Sequence, residues 1–320
     1  LRGRPDVEAP LHSLAVGVEL RPQSAVGVRQ PTLELRLEPR LELRDDVRHR
    51  DRFAELVSDS YAGFDDEAVT PLVELHPGLH LLELFRGPTL AFKDIALQLV
   101  GRLFEEELTR RDATMTIVAA TSGDTGSAAI EACRGRDRVR IFVLHPEGRV
   151  SDVQRRQMTT VEDDNVHNLA VDGSFDDCQD LVKAMFADES FRSRHALGAV
   201  NSINWARVMA QTVYYVYAAA RVPSDTPPTF VVPSGNFGNV FAGWVARQMG
   251  LPIRRLVVAS NQNDILTQFF TTGLMRVGSV EPTFSPAMDI QVSSNLERLL
   301  FELFGRDGQD LGNAMQAFRE

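Results

Sequence analysis

Lysine is nearly missing from this chain. Of the 34 Lys and Arg in 320 residues only Lys93 and Lys183 are lysines; everywhere else the positive charge is arginine. Cysteine is almost as scarce, and Cys133 and Cys178 follow no C-x-x-C or Cys/His spacing. That indicates neither a disulfide framework nor a zinc site and reads as two reduced, buried thiols. No apolar run reaches transmembrane length and no signal-peptide pattern is present, so a cytoplasmic location is expected. Positive charge is also short overall: the formal net charge is −10. An acidic chain does not attract nucleic acid or an anionic membrane at long range, whereas a small anionic substrate needs only a local positive site. The first fifty residues lack any aromatic residue, Ile, Asn, Met or Lys. There "TLELRLE" alternates like a strand but is flanked by prolines. Residues 1–50 are therefore expected to form an atypical, weakly structured segment.

From Asp51 onward the chain is rich in what the start lacks. Short apolar runs, "HLLELF", "MTIVAA", "RIFVLHP", "NVHNLAV", "TFVVP" and "RLVVAS", read as strands. Between them lie amphipathic stretches with helical spacing: "RFAELVSDSYAGF", "FKDIALQLVGRLFEEEL", "GSAAIEACRG", "VSDVQRRQMTTV", "SFDDCQDLVKAMFAD" with Ser174 as N-cap, "WARVMAQTVYYVYAAA" and "VFAGWVARQMG". Strands alternating with helices predict an α/β fold, mainly parallel sheets flanked by helices. The length suits two lobes, and the polar, proline-rich "RVPSDTPP" is read as a linker between them.

Lys93 stands in "RGPTLAFKD", after a Gly-Pro that stops one element and before a new helix. Arginine keeps its proton at any accessible pH, but a desolvated lysine can release it and become a nucleophilic amine able to form an imine. An ordinary surface lysine is the competing reading, and the surroundings decide between them. Two strand-to-helix junctions, "ATSGDTGSAA" at 120–129 and "PSGNFGN" at 233–239, are rich in glycine and small polar residues. Glycines allow close approach of a ligand, and the N–H groups of a helix start favour phosphate or carboxylate. Neither loop has the Gly-Lys-Ser/Thr of a P-loop or the glycine spacing of a dinucleotide fingerprint. Two anion sites and one reactive lysine suit pyridoxal 5'-phosphate, which brings one phosphate and an aldehyde to an amino-acid substrate. His145 and His167 are read as structural, whereas Arg155 and Arg156 fit equally well a solvated helix face or a source of positive potential.

Six motifs in order, "GPTLAFKD", "ATSGDTGSAAIEA", "HPEGRVSDVQRRQMTT", "NSINWARVMAQ", "VPSGNFGN" and "SPAMDIQVSSNLERLLFE", resemble the threonine synthases, pyridoxal-phosphate enzymes of the tryptophan-synthase-β fold group (fold type II). The resemblance runs from about Ser60 to about Gly305. It implies a larger cofactor-binding lobe from 51–112 and 227–320 and a smaller mobile lobe with linker from 113–226. It implies Lys93 as the catalytic, cofactor-bearing lysine. The cofactor would be held further by Asp124, Ser234, Gly235, Asn236, Phe237, Gly238 and Asn239. The substrate would be held by Thr121, Ser122, Gly123, Thr125, Asn201, Ser202, Asn204 and Arg207, with no metal. The implied reaction is a β,γ-elimination and replacement that turns O-phospho-L-homoserine and water into L-threonine and phosphate, by a monomer or homodimer. A related lyase such as a threonine dehydratase, and an inactive cofactor-binding fragment, are the alternatives. The family's N-terminal Tyr-x-Ser-Thr-Arg-Gly stretch has no match in residues 1–50, and its C-terminal hydroxyl residue at the pyridine nitrogen has none before Glu320. The start is therefore expected to be aberrant and the end shortened.

Overall fold

The computed structural model describes residues 18–19, 47–121, 123–222 and 226–317. The "TLELRLE" stretch and Ser122 lie outside them. Contacts divide the chain into two compact units, one holding the described residues of Arg21–Pro223 and the other those of Leu1–Leu20 and Ser224–Glu320.

A short strand β1 (Val18–Glu19) precedes helix α1 (Val47–Tyr61) and a hairpin of β2 (Leu72–His76) and β3 (Leu79–Leu82). Pro77 and Gly78 turn the hairpin, with Gly78 in the left-handed region at φ 79°. Helix α2 (Lys93–Arg110) follows, then β4 (Met115–Ala120), α3 (Asp124–Cys133), β5 (Val139–Pro146), α4 (Asp152–Thr159) and β6 (Val166–Val171). Helices α5 (Phe175–Ala187) and α6 (Glu189–Arg194), the two-residue β7 (Leu197–Gly198) and helix α7 (Trp205–Arg221) complete this unit. The Ser174 N-cap forms as expected, in a capping box with Asp177. Missed from sequence were β1 and β2, the two short elements α6 and β7, and the helices after residue 260, all of them short or weakly patterned.

Strands β6-β5-β4-β7 form one wholly parallel sheet. The period-2 rule sends alternate residues to opposite faces. Ile117, Ala119, Ile141 and Val143 pack with Leu97 of α2, with Ala128, Ala129 and Ile130 of α3, and with Met158 of α4. Val118 and Leu144 pack with Cys178, Val182 and Met185 of α5 on the other side. Both faces are covered, which is why these strands read as unbroken apolar runs. The strand order also fixes where a ligand can sit. The chain runs outward from β4 through β5 to β6 and then returns to place β7 on the opposite flank of β4. The order reverses between β4 and β7, and such switch points, at the carboxyl ends of parallel strands, open a crevice.

In the second unit β8 (Thr229–Pro233) pairs in parallel with β9 (Arg255–Ala259), and β1 adds antiparallel to β9 through Val18↔Val258. Helix α8 (Gly238–Gln248) connects β8 to β9. Helices α9 (Ile265–Thr272), α10 (Leu296–Leu303) and α11 (Gly308–Ala317) follow. Among the described residues no helix is long and apolar enough to cross a membrane.

Candidate active site

Lys93 opens helix α2 and is buried, at 8 % exposure. The turn before it is built by its neighbour: Asp94, fully buried, accepts from Thr89 N at 2.8 Å and Thr89 Oγ1 at 2.7 Å. Gly87 is needed there, because a Cβ would stand 2.5 Å from Asp94 Cβ. Burial raises the Asp94 carboxyl above its ordinary range against the pull of the Thr89 bonds. The aspartate of "FKD" therefore shapes the loop that presents the lysine.

The Lys93 ammonium donates to Asp124 Oδ2 at 3.0 Å. Burial lowers the Lys93 pKa, Asp124 opposes that, and the charge of Arg207 adds to the lowering. Position works in the same direction, since the positive end of a helix dipole disfavours a cation in its first turn. Asp124 begins α3, and its second oxygen Oδ1 accepts from Gln154 Nε2. Gln154 was not singled out from sequence, although "SDVQ" spells the S-x-x-Q signature of a capping box. Half of that box forms: Gln154 N donates to Ser151 Oγ at 3.3 Å and Ser151 Oγ donates to Gln154 Oε1 at 2.9 Å. The amide nitrogen is thereby turned toward Asp124.

The loop between β4 and α3 is tied by its own hydroxyl. Thr121 Oγ1 accepts from Gly123 N at 3.0 Å and from Gly126 N at 2.9 Å, and donates to Gly123 O at 3.2 Å. It is buried and engaged in holding the loop rather than in reaching for a ligand. Gly123, at φ 147°, caps α3 with no side-chain hydrogen bond, and Thr125 lies in the first turn. On the other side of the switch point, β7 is followed by exposed Asn201, half-buried Ser202 and then Asn204. Asn204 caps α7: its Oδ1 accepts from Ala206 N at 2.9 Å and its Nδ2 donates to Ala199 O at 3.1 Å.

Arg207, in the first turn of α7, is 2 % exposed. Its Nη1 donates to Val200 O at 2.7 Å, while Nε is buried without a hydrogen-bond partner. Burial pulls its pKa down to about 10. A buried guanidinium with an unmet donor and no carboxylate among the described residues is costly unless an anion completes it. Lys93, Asp124 and Arg207 thus come together at the switch point, and Gln154 joins them.

The second loop is described within its own unit. Among residues 234–239, Phe237 is the N-cap of α8 and takes the left-handed conformation, φ 63°, with its ring fully buried near Phe270. Gly235 is needed for close approach, since a Cβ would lie 3.1 Å from Met288 Cα and 3.3 Å from Ala287 O. Neither Gly235 nor Gly238 has a positive φ. Side chains from the start of α10 hold the loop: Ser293 Oγ donates to Gly235 O at 2.7 Å, Ser294 Oγ to Asn236 Oδ1 at 3.2 Å and Asn295 Nδ2 to Asn236 O at 3.0 Å. The "SSN" of the last motif therefore positions this loop, a role that its sequence alone did not disclose. Asp289 accepts from Asn261, Asn263 and Thr283 and ties the segment leading to it. Ser234 is buried after β8, and α8 starts with no side-chain cap.

A cofactor bearing an aldehyde and a phosphate asks for a buried amine of lowered pKa and for a small-residue helix start. Lys93 meets the first requirement and the 234–239 loop has the form of the second, so the residues fit pyridoxal phosphate.

The comparisons agree with this chemistry. The family model described as pyridoxal-phosphate dependent enzyme matches residues 64–319. The chain is 53 % identical over 268 residues to the threonine synthase of Pseudomonas aeruginosa, covering 83 % of this chain and 57 % of that protein. It is 52 % identical to the threonine synthase of Saccharomyces cerevisiae, over 80 % of this chain and 54 % of the relative. The crystal structure of pyridoxal-phosphate-bound threonine synthase from Brucella melitensis superposes with a TM-score of 0.79 at 51 % identity, covering 84 % of this chain and 58 % of that one. The chain spans about half the length of the curated relatives it matches. Its motifs, its fold and these matches together make it a member of the pyridoxal-phosphate-dependent enzyme family, similar in particular to the threonine synthases.

Proposed function

We propose that this chain belongs to an enzyme that converts O-phospho-L-homoserine and water into L-threonine and inorganic phosphate. The observation that supports the reading best is the pair of buried cations at one switch point: Lys93, whose pKa burial lowers, and Arg207, whose Nε has no partner. Amino-acid chemistry needs the first, and a phosphorylated substrate needs the second.

Pyridoxal phosphate, when bound, supplies an electron sink for charge that develops at the substrate α-carbon. The chain's own residues do the rest. Lys93 and the uncapped start of α8 at Ser234–Asn239 would hold the group. Lys93 serves as the base that takes the α-proton and then a β-proton, a task suited to an amine whose lowered pKa leaves more of it neutral. Asp124 keeps the amine at 3.0 Å and is itself aimed by Gln154. Arg207 offers its donors to the leaving phosphate, and the anchor on Val200 fixes its fork. The substrate carboxylate suits the uncapped start of α3, because the Thr121 hydroxyl is engaged in the loop itself. In the overall exchange the γ-carbon to oxygen bond breaks with its electron pair going to phosphate; the β-carbon gives up a proton and takes a hydroxyl from water, and of that proton and the one left from water, one ends on the γ-carbon and the other leaves on the phosphate. A cytoplasmic, small-molecule enzyme acting as a monomer or homodimer goes with this reading.

The test is phosphate release from O-phospho-L-homoserine by the cofactor-loaded chain, run beside deamination of serine and threonine. Release is expected, and Lys93→Ala should lower it by about 10³-fold or more and abolish the borohydride-trapped adduct. Turnover of serine or threonine without phosphate release favours the dehydratase reading. A trapped adduct on Lys183 would overturn the assignment of the lysine.

A further inference from the structure

A cavity of about 370 Å³ lies beside α2 and α3, lined by Gln98, Arg102, Glu131 and Arg136 among others, and no residue of the candidate active site contributes to it. Its volume falls within the range of small-molecule sites, about 300–1,000 Å³. Gly101 makes it possible. A Cβ there would collide with the carbonyl of Ala132, so glycine lets α2 and α3 close together and brings Arg102 and Arg136 to one place. Arg136 donates Nε to Ala132 O at 2.5 Å and Arg102 donates Nη2 to Asp59 O at 2.7 Å, which fixes both stems by backbone carbonyls, while the charge of Glu105 offsets only part of that of Arg136. Burial lowers the Arg136 pKa, and the neighbouring Arg102 lowers it further.

Two donors in this cavity are unmet. Gln98, only 8 % exposed, lines the cavity with its Nε2 unpartnered, and Arg102 Nε is likewise buried without a partner. The nearby acids do not fill the need. Glu131 is paired with Arg134 at 3.3 Å, the Asp59 carboxylate is exposed and makes no ion pair with Arg102 among the described residues, and Glu105 accepts from the backbone N of Arg138. Two guanidinium groups forced together, with amide and guanidinium donors left over, make a place for a compact oxyanion.

We propose that the cavity between Gln98, Arg102 and Arg136 binds a small dianionic ligand, a phosphate or dicarboxylate group, at a site separate from that of Lys93 and Arg207.

The proposal is tested by isothermal titration of the cofactor-loaded full chain with inorganic phosphate and, in a second arm, malonate. Phosphate is expected to bind at a site that survives Arg207→Gln, weakens at least tenfold in Arg136→Gln and weakens at least threefold in Gln98→Leu. Whichever anion binds more tightly names the oxyanion. Melting curves without anion come first; Gln98→Leu, which is nearly isosteric, carries the test if Arg136→Gln does not fold. Unchanged isotherms in both Gln98→Leu and Arg136→Gln overturn the proposal, as does loss of all binding in Arg207→Gln, which would assign the anion to the active site alone.

Discussion

The two glycine-bearing loops look alike in sequence and are held in opposite ways. The loop from Thr121 to Thr125 is closed locally: one hydroxyl, two residues from the first N–H it accepts and five from the second, fixes the turn. The loop from Ser234 to Asn239 is closed by Ser293, Ser294 and Asn295, which arrive from 58 or 59 residues further along the chain. Strain is also placed differently. The first loop puts its unusual backbone on Gly123, where it costs little. The second puts left-handed geometry on Phe237, a bulky residue, and offsets a cost of roughly 1–2 kcal/mol by burying the whole ring. A loop closed within its own sequence forms whenever its strand and helix form. One closed from a distance depends on the packing of the whole unit.

Substitutions in each loop put that contrast to the test. The largest effect is expected at Phe237, because truncation to alanine keeps the left-handed strain and removes the burial that offsets it. Phe237→Ala should cost about 3–5 kcal/mol in a urea melt, and a loss under 1 kcal/mol would show that the ring does not hold the loop. Next comes Thr121→Val, which leaves the N–H groups of Gly123 and Gly126 without their acceptor. A loss of about 2–4 kcal/mol in the same melt is expected. Ser293→Ala removes a single bond to Gly235 O, so stability should fall by about 1 kcal/mol while affinity for pyridoxal phosphate, read by spectral titration, weakens roughly fivefold. A cofactor affinity equal to that of the unmodified chain would separate the "SSN" segment from the cofactor.

The smallest effect lies at Lys93 and is read through pH in the cofactor-free chain. Its folded pKa is lowered mainly by burial. Between that value and the ordinary 10.5 the unfolded chain holds a proton that the folded chain does not, so stability rises with pH across the window. Below the window the buried charge imposes its full cost. Lys93→Met should raise the melting temperature there, and the gain should fade toward pH 10.5. A gain that grows with pH would reverse the assignment.

Much of this was legible because it is periodic or compositional. The apolar runs at 115–120 and 139–146, the helix at 93–110 and the Ser174 cap form where their patterns place them. The scarcity of lysine singled out Lys93, and the structure buries it. Roles assigned by type alone were harder to read. Thr121 is expected by motif to hold substrate, yet its hydroxyl faces the backbone of its own turn. Gln154 and Ser293–Asn295 carry no signal of chemistry in sequence, because a side chain's partner across 30 or 58 residues is not written next to it.

The alternation of strands and helices, the glycine-bearing junctions and the rarity of lysine are written in the sequence alone, since these are matters of period, backbone freedom and composition. Tertiary structure decided that β7 returns beside β4, so that Arg207 and Asp124 meet Lys93 in one crevice, and that the second loop is pinned by α10. Charge, burial and an unmet donor are properties of neighbours brought together, and only the fold chooses the neighbours.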